Sequence, residues 1–365
     1  MPLLIIAMIV GYAFIVAPRF ADNDDVDVQE GSSGDFDHSS TPSATPSPTK
    51  TPVRRDPAAE QTQFPEPGTV FAGVFTEAGP HNFADTDRFI EATGHSPSAH
   101  EFSAGWEEDE FNRDLFDAVA ERDMLPILAW EPWDYKHDGP RHDQPDYQLR
   151  DIIDGDYDEY IKEWAVGIES LGYPIAIRFA HEMNGNWYPW SEGVNGNQPG
   201  EYVEAYRHVH DIFTEVGADD VIWIWSPNVS HIGSAPFENL YPGDDYVDWL
   251  GLVGYYENEI FDSFDKIYGD SIRNLEEISD KPIVITEIGA PNSSGRQVEW
   301  INDMFESLPR YPSVIGFVWF EVRINEDWRL AANEDGARAY AVSSQDERYD
   351  VEWTPNIYPQ RRALE

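Results

Sequence analysis

Eight short apolar runs, each rich in β-branched or aromatic residues, recur at intervals from residue 68 onward, with helical stretches between them. The runs occupy 69–75, 100–106, 124–130, 174–180, 220–225, 247–254, 282–287 and 314–320. Helical patterns fill 110–122, 158–171, 200–216, 265–278 and 297–308; in the third, Tyr202, Ala205, Tyr206, Val209 and Phe213 fall on one face. Strands that alternate with helices pair in parallel, because each helix carries the chain back to the start of the next strand. Eight such units over roughly 270 residues predict an α/β fold, the (β/α)8 or TIM barrel. An open doubly wound sheet is the competing architecture. It lacks its usual support, since no Gly-x-Gly-x-x-Gly follows the first run.

Composition excludes several functions. The 69 acidic against 24 basic residues give a net charge of -45, which repels phosphate backbones and excludes nucleic acid as a general partner. With 41% hydrophobic residues and 13 Trp the chain has ample apolar surface for a core. Cysteine is absent, so disulfides, thiolate catalysis and Cys-ligated metals are excluded. Only five of the basic residues are Lys. Acid excess with Lys depletion suits a protein working in concentrated salt, where a Debye length of about 3 Å screens self-repulsion. Ordinary acidity is the simpler alternative.

Residues 1–18 carry no charge and read as a membrane or signal segment, with 1–20 as its bounds. The stretch is short for a span of about 20 residues and lacks both a basic start and a small-x-small cleavage site, so anchor and cleaved signal stay open. Residues 21–67 are acidic, then Ser/Thr/Pro-rich, and read as a linker open to O-glycosylation. The expected catalytic domain is 68–365, a monomer outside the cell, secreted or tethered to the outer membrane face and touching membrane only through its N-terminal segment.

In a barrel the chemistry sits at the C-terminal ends of the strands. The fourth run, ending Ile177-Arg178-Phe179-Ala180, continues into His181-Glu182-Met183-Asn184-Gly185-Asn186-Trp187, and the seventh ends in Thr286-Glu287-Ile288-Gly289. Two carboxylates across one barrel mouth suit glycosidic cleavage: one protonates the leaving oxygen, the other attacks or assists at the anomeric carbon. Trp residues nearby suit a sugar ligand.

These two motifs resemble glycoside hydrolase family 26, and the resemblance covers 68–330. It implies a retaining endo-β-glycanase acting on β-1,4-mannan, or on mixed-linkage β-glucan or β-xylan. It implies Glu182 as acid/base, Glu287 as nucleophile, and His181 and Trp187 as ligands of the sugar beside the cleaved bond. Either Tyr255 or Tyr256 is similar to the tyrosine that hydrogen-bonds the nucleophile, and Trp319 to the aromatic floor. Tyr188-Pro189-Trp190 departs from the mannanase pattern, where the aromatic run is uninterrupted; a reshaped loop there favours a bent glucan. Mannan ranks first on family numbers.

Other candidates come from position alone. Glu131 and Trp133 follow the third run and are expected at distal subsites; Trp190 is a further sugar contact, and Asn228 is a hydroxyl ligand or a turn residue. For Trp133, Trp225 and Trp319, core packing is as good a reading as stacking on a ligand. His181 also fits a structural histidine. His208 and His210 sit two apart on a helix and point apart, so they share no metal. The stretch 154–158 imitates a calcium loop, but Glu159 stands where the turn needs Gly, and acidic residues opening a helix explain it better. No cofactor or metal is expected. A barrel that binds polysaccharide without turnover is the competing class, and a metal-dependent amidase or deacetylase lacks its metal cluster.

Overall fold

The computed structural model describes residues 53, 55, 56, 58–256 and 262–363. The apolar segment and the first part of the linker lie outside them. In chain order the strands are β1 (Thr62–Phe64), β2 (Phe71–Thr76), β3 (Ala99–Gly105), β4 (Leu125–Glu131), β5 (Ile175–Phe179), β6 (Val221–Trp225), β7 (Trp249–Val253), β8 (Ile283–Ile288), β9 (Val314–Glu321), β10 (Arg323–Ile324), β11 (Glu326–Asp327) and β12 (Ile357–Pro359). The helices are α1 (Ala84–Thr93), α2 (Arg113–Ala120), α3 (Leu149–Ile153), α4 (Asp158–Glu169), α5 (Glu201–Val216), α6 (Asp270–Ile278), α7 (Gln297–Ser307) and α8 (Glu334–Ser343).

Strands β2 to β9 close into a parallel barrel in sequence order, sealed where β9 pairs with β2 at Val318 and Gly73. All eight expected runs are barrel strands. Because side chains alternate along a strand, each run feeds two layers. One set points out to the helices: Trp130 meets Trp164 of α4, Phe179 meets Tyr206 of α5, and Phe102 meets Phe116 of α2. The inner set is small near the barrel's start, where Gly73 lies against Val318 and Ala99. It becomes polar toward the C-terminal mouth.

Expected helices 110–122, 158–171, 200–216 and 297–308 match α2, α4, α5 and α7, while the first five residues of 265–278 wind as a π-helix into α6. Helices α1 and α8 carry no such signal, since they bury only Thr86, Phe89 and Thr93, and Gly336, Ala337 and Tyr340. Asp158 and Glu159 open α4 as expected; His208 pairs with Asp158 at 2.7 Å, whereas the His210 ring packs on Trp223.

The domain starts earlier than residue 68. Strand β1 pairs in parallel with β12 across the N-terminal mouth of the barrel. There the Phe64 ring packs on Phe71 and Trp249, the first residues of β2 and β7. Gln360 completes the clasp: its N–H donates to the Phe64 carbonyl and its own carbonyl accepts from Trp249 Nε1 at 2.7 Å. Composition marked this stretch as linker because, among its described residues, only Phe64 buries a large apolar side chain.

Candidate active site

The C-terminal mouth collects buried charge. Arg178 stands on β5 among apolar neighbours and is 1% exposed, so its cation needs partners inside the barrel. Its Nη1 donates to Glu101 of β3 and to Glu287 of β8, each at 2.6 Å, and its Nε donates to Ser226 Oγ at 3.0 Å. Burial alone opposes the guanidinium's charge, but Glu287 and Glu101 outweigh it and raise its pKa further.

Glu287 reaches this pair through an irregularity. Register shifts fall at 285–287 between β7 and β8, and at 283–284 and again at 285–288 between β8 and β9. An extra residue at such a bulge turns two consecutive side chains the same way. Thr286 Oγ1 lies 2.7 Å from Ser226 Oγ, while Glu287 beside it faces Arg178 and accepts from the Tyr255 phenol.

Glu182 is placed by strain and by a clasp. Its φ is +54° and that of Ala180 is +45°, a left-handed conformation that costs a non-glycine residue on the order of 1–3 kcal/mol and is found where structure over-determines it. The determinants are present: the Glu182 N–H donates to the Ser226 carbonyl at 2.7 Å, and Asn184 and Asn228 exchange two hydrogen bonds of 2.8 Å. The carboxylate itself accepts from Trp187 Nε1 at 3.0 Å and from Asn228 Nδ2. Burial, and then the negative charge of Glu287, push its pKa up to about 7 against the donors that lower it. The surroundings of the two carboxyls differ: burial and the charge of Glu287 favour a proton on Glu182 near neutrality, and Glu287 lies against a cation and a phenol donor.

His181 is buried and neutral, its pKa driven well down by burial and by Arg178. Its Nε2 lies 3.2 Å from the Tyr188 hydroxyl, and its Nδ1 has no protein partner. It lines a cavity of about 230 Å³ with Glu101, Glu131, Arg178 and Glu287, closed on one side by Phe75 and Phe320, whose rings stack at 5.5 Å.

Several expected contacts lie elsewhere. Trp190 is wholly buried, stacked on Tyr188 at 4.2 Å, and its Nε1 donates to the His181 carbonyl at 2.7 Å, so it supports the site from beneath. Pro189 stands between the two stacked rings. Trp133 packs edge-on against both rings and donates from Nε1 to Glu131 Oε2 at 2.8 Å, so Glu131 reaches the cavity and Trp133 does not. Asn228 faces Glu182. Of the tyrosine doublet, Tyr255 faces the nucleophile candidate, whereas Tyr256 stacks on Trp300 and points to Asp303. Trp319 points outward to Tyr340 of α8; the floor is its neighbour Phe320, with Trp328 beside Tyr255 at 5.2 Å. Trp225 is outer core, against Phe237 and Tyr241.

Arg178, Glu101, Phe320 and Trp328 were not singled out from sequence. The first two had a readable signal, a charge within a buried apolar strand. Phe320 differs from Trp319 only by strand phase.

The model of glycosyl hydrolase family 26 matches residues 142–340 of this chain. The chain is 32% identical over 254 residues to endoglucanase H of Acetivibrio thermocellus, an alignment covering 66% of this chain and 26% of that protein. It thus spans about a quarter of that relative. It is 25% identical over 301 residues to a mannan endo-1,4-beta-mannosidase of Bacillus subtilis, covering 74% and 78% of the two. Among solved structures, a GH26 beta-mannanase from Bacteroides ovatus superposes with a TM-score of 0.59 at 17% identity, over 80% of this chain and 91% of that one, a likeness of fold.

Proposed function

The chain belongs to glycosyl hydrolase family 26, and from that premise we propose that it is a retaining endo-β-glycanase acting by double displacement, with β-1,4-mannan as substrate. The observation that carries the reading is the contrast between two buried glutamates at the ends of β5 and β8: Glu182 pushed up to about 7, Glu287 between a guanidinium and a phenol. Protonated Glu182 gives its proton to the glycosidic oxygen as Glu287 attacks the anomeric carbon, so the carbon–oxygen bond breaks and the leaving sugar departs as an alcohol. Glu182, now ionised, takes a proton from water, whose oxygen attacks the same carbon and releases Glu287. Neutral His181 offers Nδ1 to a sugar hydroxyl, and Tyr255 steadies the nucleophile.

Mannan is favoured by the mannosidase relative, 78% of whose length the alignment covers. A mixed-linkage β-glucan is the second reading, favoured by the higher identity to a protein named endoglucanase H. In this reading the enzyme works outside the cell as a monomer, exported or tethered through residues 1–20, with an acidic surface suited to concentrated salt.

The test is product release in high salt from galactomannan, glucomannan, barley-type glucan, β-1,3-xylan and cellulose. Oligosaccharides from the mannans, lost in Glu287→Ala, support the proposal. Release from barley glucan alone overturns the substrate and keeps the mechanism, and release from none overturns both.

A further inference from the structure

Glu101 of β3 is a buried carboxyl to which the two-step reaction gives no task. It is 0% exposed, and its Oε1 shares Arg178 Nη1 with Glu287 Oε1, each oxygen 2.6 Å away, while its Oε2 has no protein partner. The remaining bond of the guanidinium goes to the neutral Ser226 hydroxyl, so among the described residues only these two carboxyls pair with it. Burial pushes Glu101 up to about 7; Arg178 opposes that rise and the charge of Glu287 adds to it. Below that value the resting trio holds one cation and one anion. Glu131 of β4 and His181, which follows β5, are the other titratable groups lining the cavity, whereas His100, next to Glu101 on β3, turns away to Thr76 and Thr86.

Double displacement disturbs this balance. When Glu287 bonds to the anomeric carbon and the leaving oxygen takes the Glu182 proton, the Glu287 carboxylate becomes an ester and loses its charge. Arg178, 1% exposed, would then be a buried cation without an anion, a costly arrangement. Resting on the glycanase reading above, we propose that Glu101 is a positioning residue acting through Arg178, the anion of the guanidinium for as long as Glu287 is esterified. Glu101 gives its proton from Oε2 to water as the ester forms, and takes one back when hydrolysis restores the Glu287 carboxylate. Loss of the Glu287 charge drives the release, because that charge helps to keep the proton on Glu101. The trio is therefore neutral in both states, and only the identity of the anion changes.

The test uses the full-chain enzyme and 2-deoxy-2-fluoro-β-mannobiosyl fluoride, or the cellobiosyl analogue if the polymer assay gives a glucanase. Such reagents form the covalent intermediate and delay its breakdown, so the two steps are read separately. Glu101→Gln keeps the shape and an acceptor for Arg178 but carries no charge. It should slow labelling by at least about tenfold and speed reactivation of the labelled enzyme by at least about threefold. The opposite signs decide, because a nucleophile that is merely displaced slows both steps. Any other pattern overturns the proposal. A second measurement does not depend on that variant folding: in Glu182→Gln, whose acid/base position no longer titrates, infrared difference spectra at about pH 6 should show one protonated carboxyl lost on labelling. A carboxyl band that persists overturns the proposal too. Wild-type enzyme that is not labelled, or is labelled at a residue other than Glu287, overturns the glycanase reading itself.

Discussion

At the scale of single residues the proposed chemistry rests on two carboxyls in unlike surroundings. Glu287→Ala should abolish turnover of every substrate by at least about a thousandfold, with azide restoring a product of inverted anomeric configuration. Glu182→Ala should lose about 10²- to 10⁴-fold on polymer yet keep activity on aryl glycosides with good leaving groups, which need little protonation. Equal loss on both substrate types would undo the assignment. A proton-donating Glu182 works only below its pKa, so kcat/KM on polymer should fall as pH rises through about 7. The Asn228 amide stabilises the ionised form, so Asn228→Ala should move that alkaline limb to higher pH. A limb that stays put, measured on soluble oligosaccharides, would show that Asn228 does not tune Glu182.

At the scale of elements, strand phase decides which residue serves the site. On β9, Trp319 faces α8 and Phe320 faces the cavity. Trp319→Ala should cost about 3–5 kcal/mol of stability, read by denaturant unfolding, with little change in KM for the folded enzyme. Phe320→Ala should instead raise KM. Strand positions were legible because eight apolar runs each bury both faces, and the glutamates because they end two of those runs. Phase was not legible for the same reason: a strand buried on both sides reads as a continuous apolar run, so inward and outward positions look alike. The bulge at Thr286 and Glu287 had no sequence mark, nor did the choice between Tyr255 and Tyr256. Arg178 and Glu101 could have been found, since a charge inside a buried strand requires a partner across the barrel.

At the scale of the whole molecule, charge and the terminal clasp set stability. Residues before 68 hold ten acidic and four basic side chains, leaving 59 and 20 on the rest, a net of -39. The melting temperature should rise between about 0.1 M and 3 M sodium or potassium chloride as self-repulsion is screened, and no change would refute a salt-adapted surface. Buried Glu101, Glu182 and Glu321 have pKa values raised to about 7 and Glu131 to about 8. Their contribution is fully present below the unfolded carboxyl value near 4.5 and is lost progressively as pH climbs from there through 7 to 8, so a decline over that window should persist in molar salt. A chain cut to begin at Gly68 loses Phe64 and should be about 2–4 kcal/mol less stable than one beginning at Arg55, as denaturant titration would show. The clasp also fixes orientation. Strand β1 brings the chain in at the end of the barrel opposite the cleft, so residues 62–64 hold the barrel's floor shut while the mouth at the other end stays clear of them.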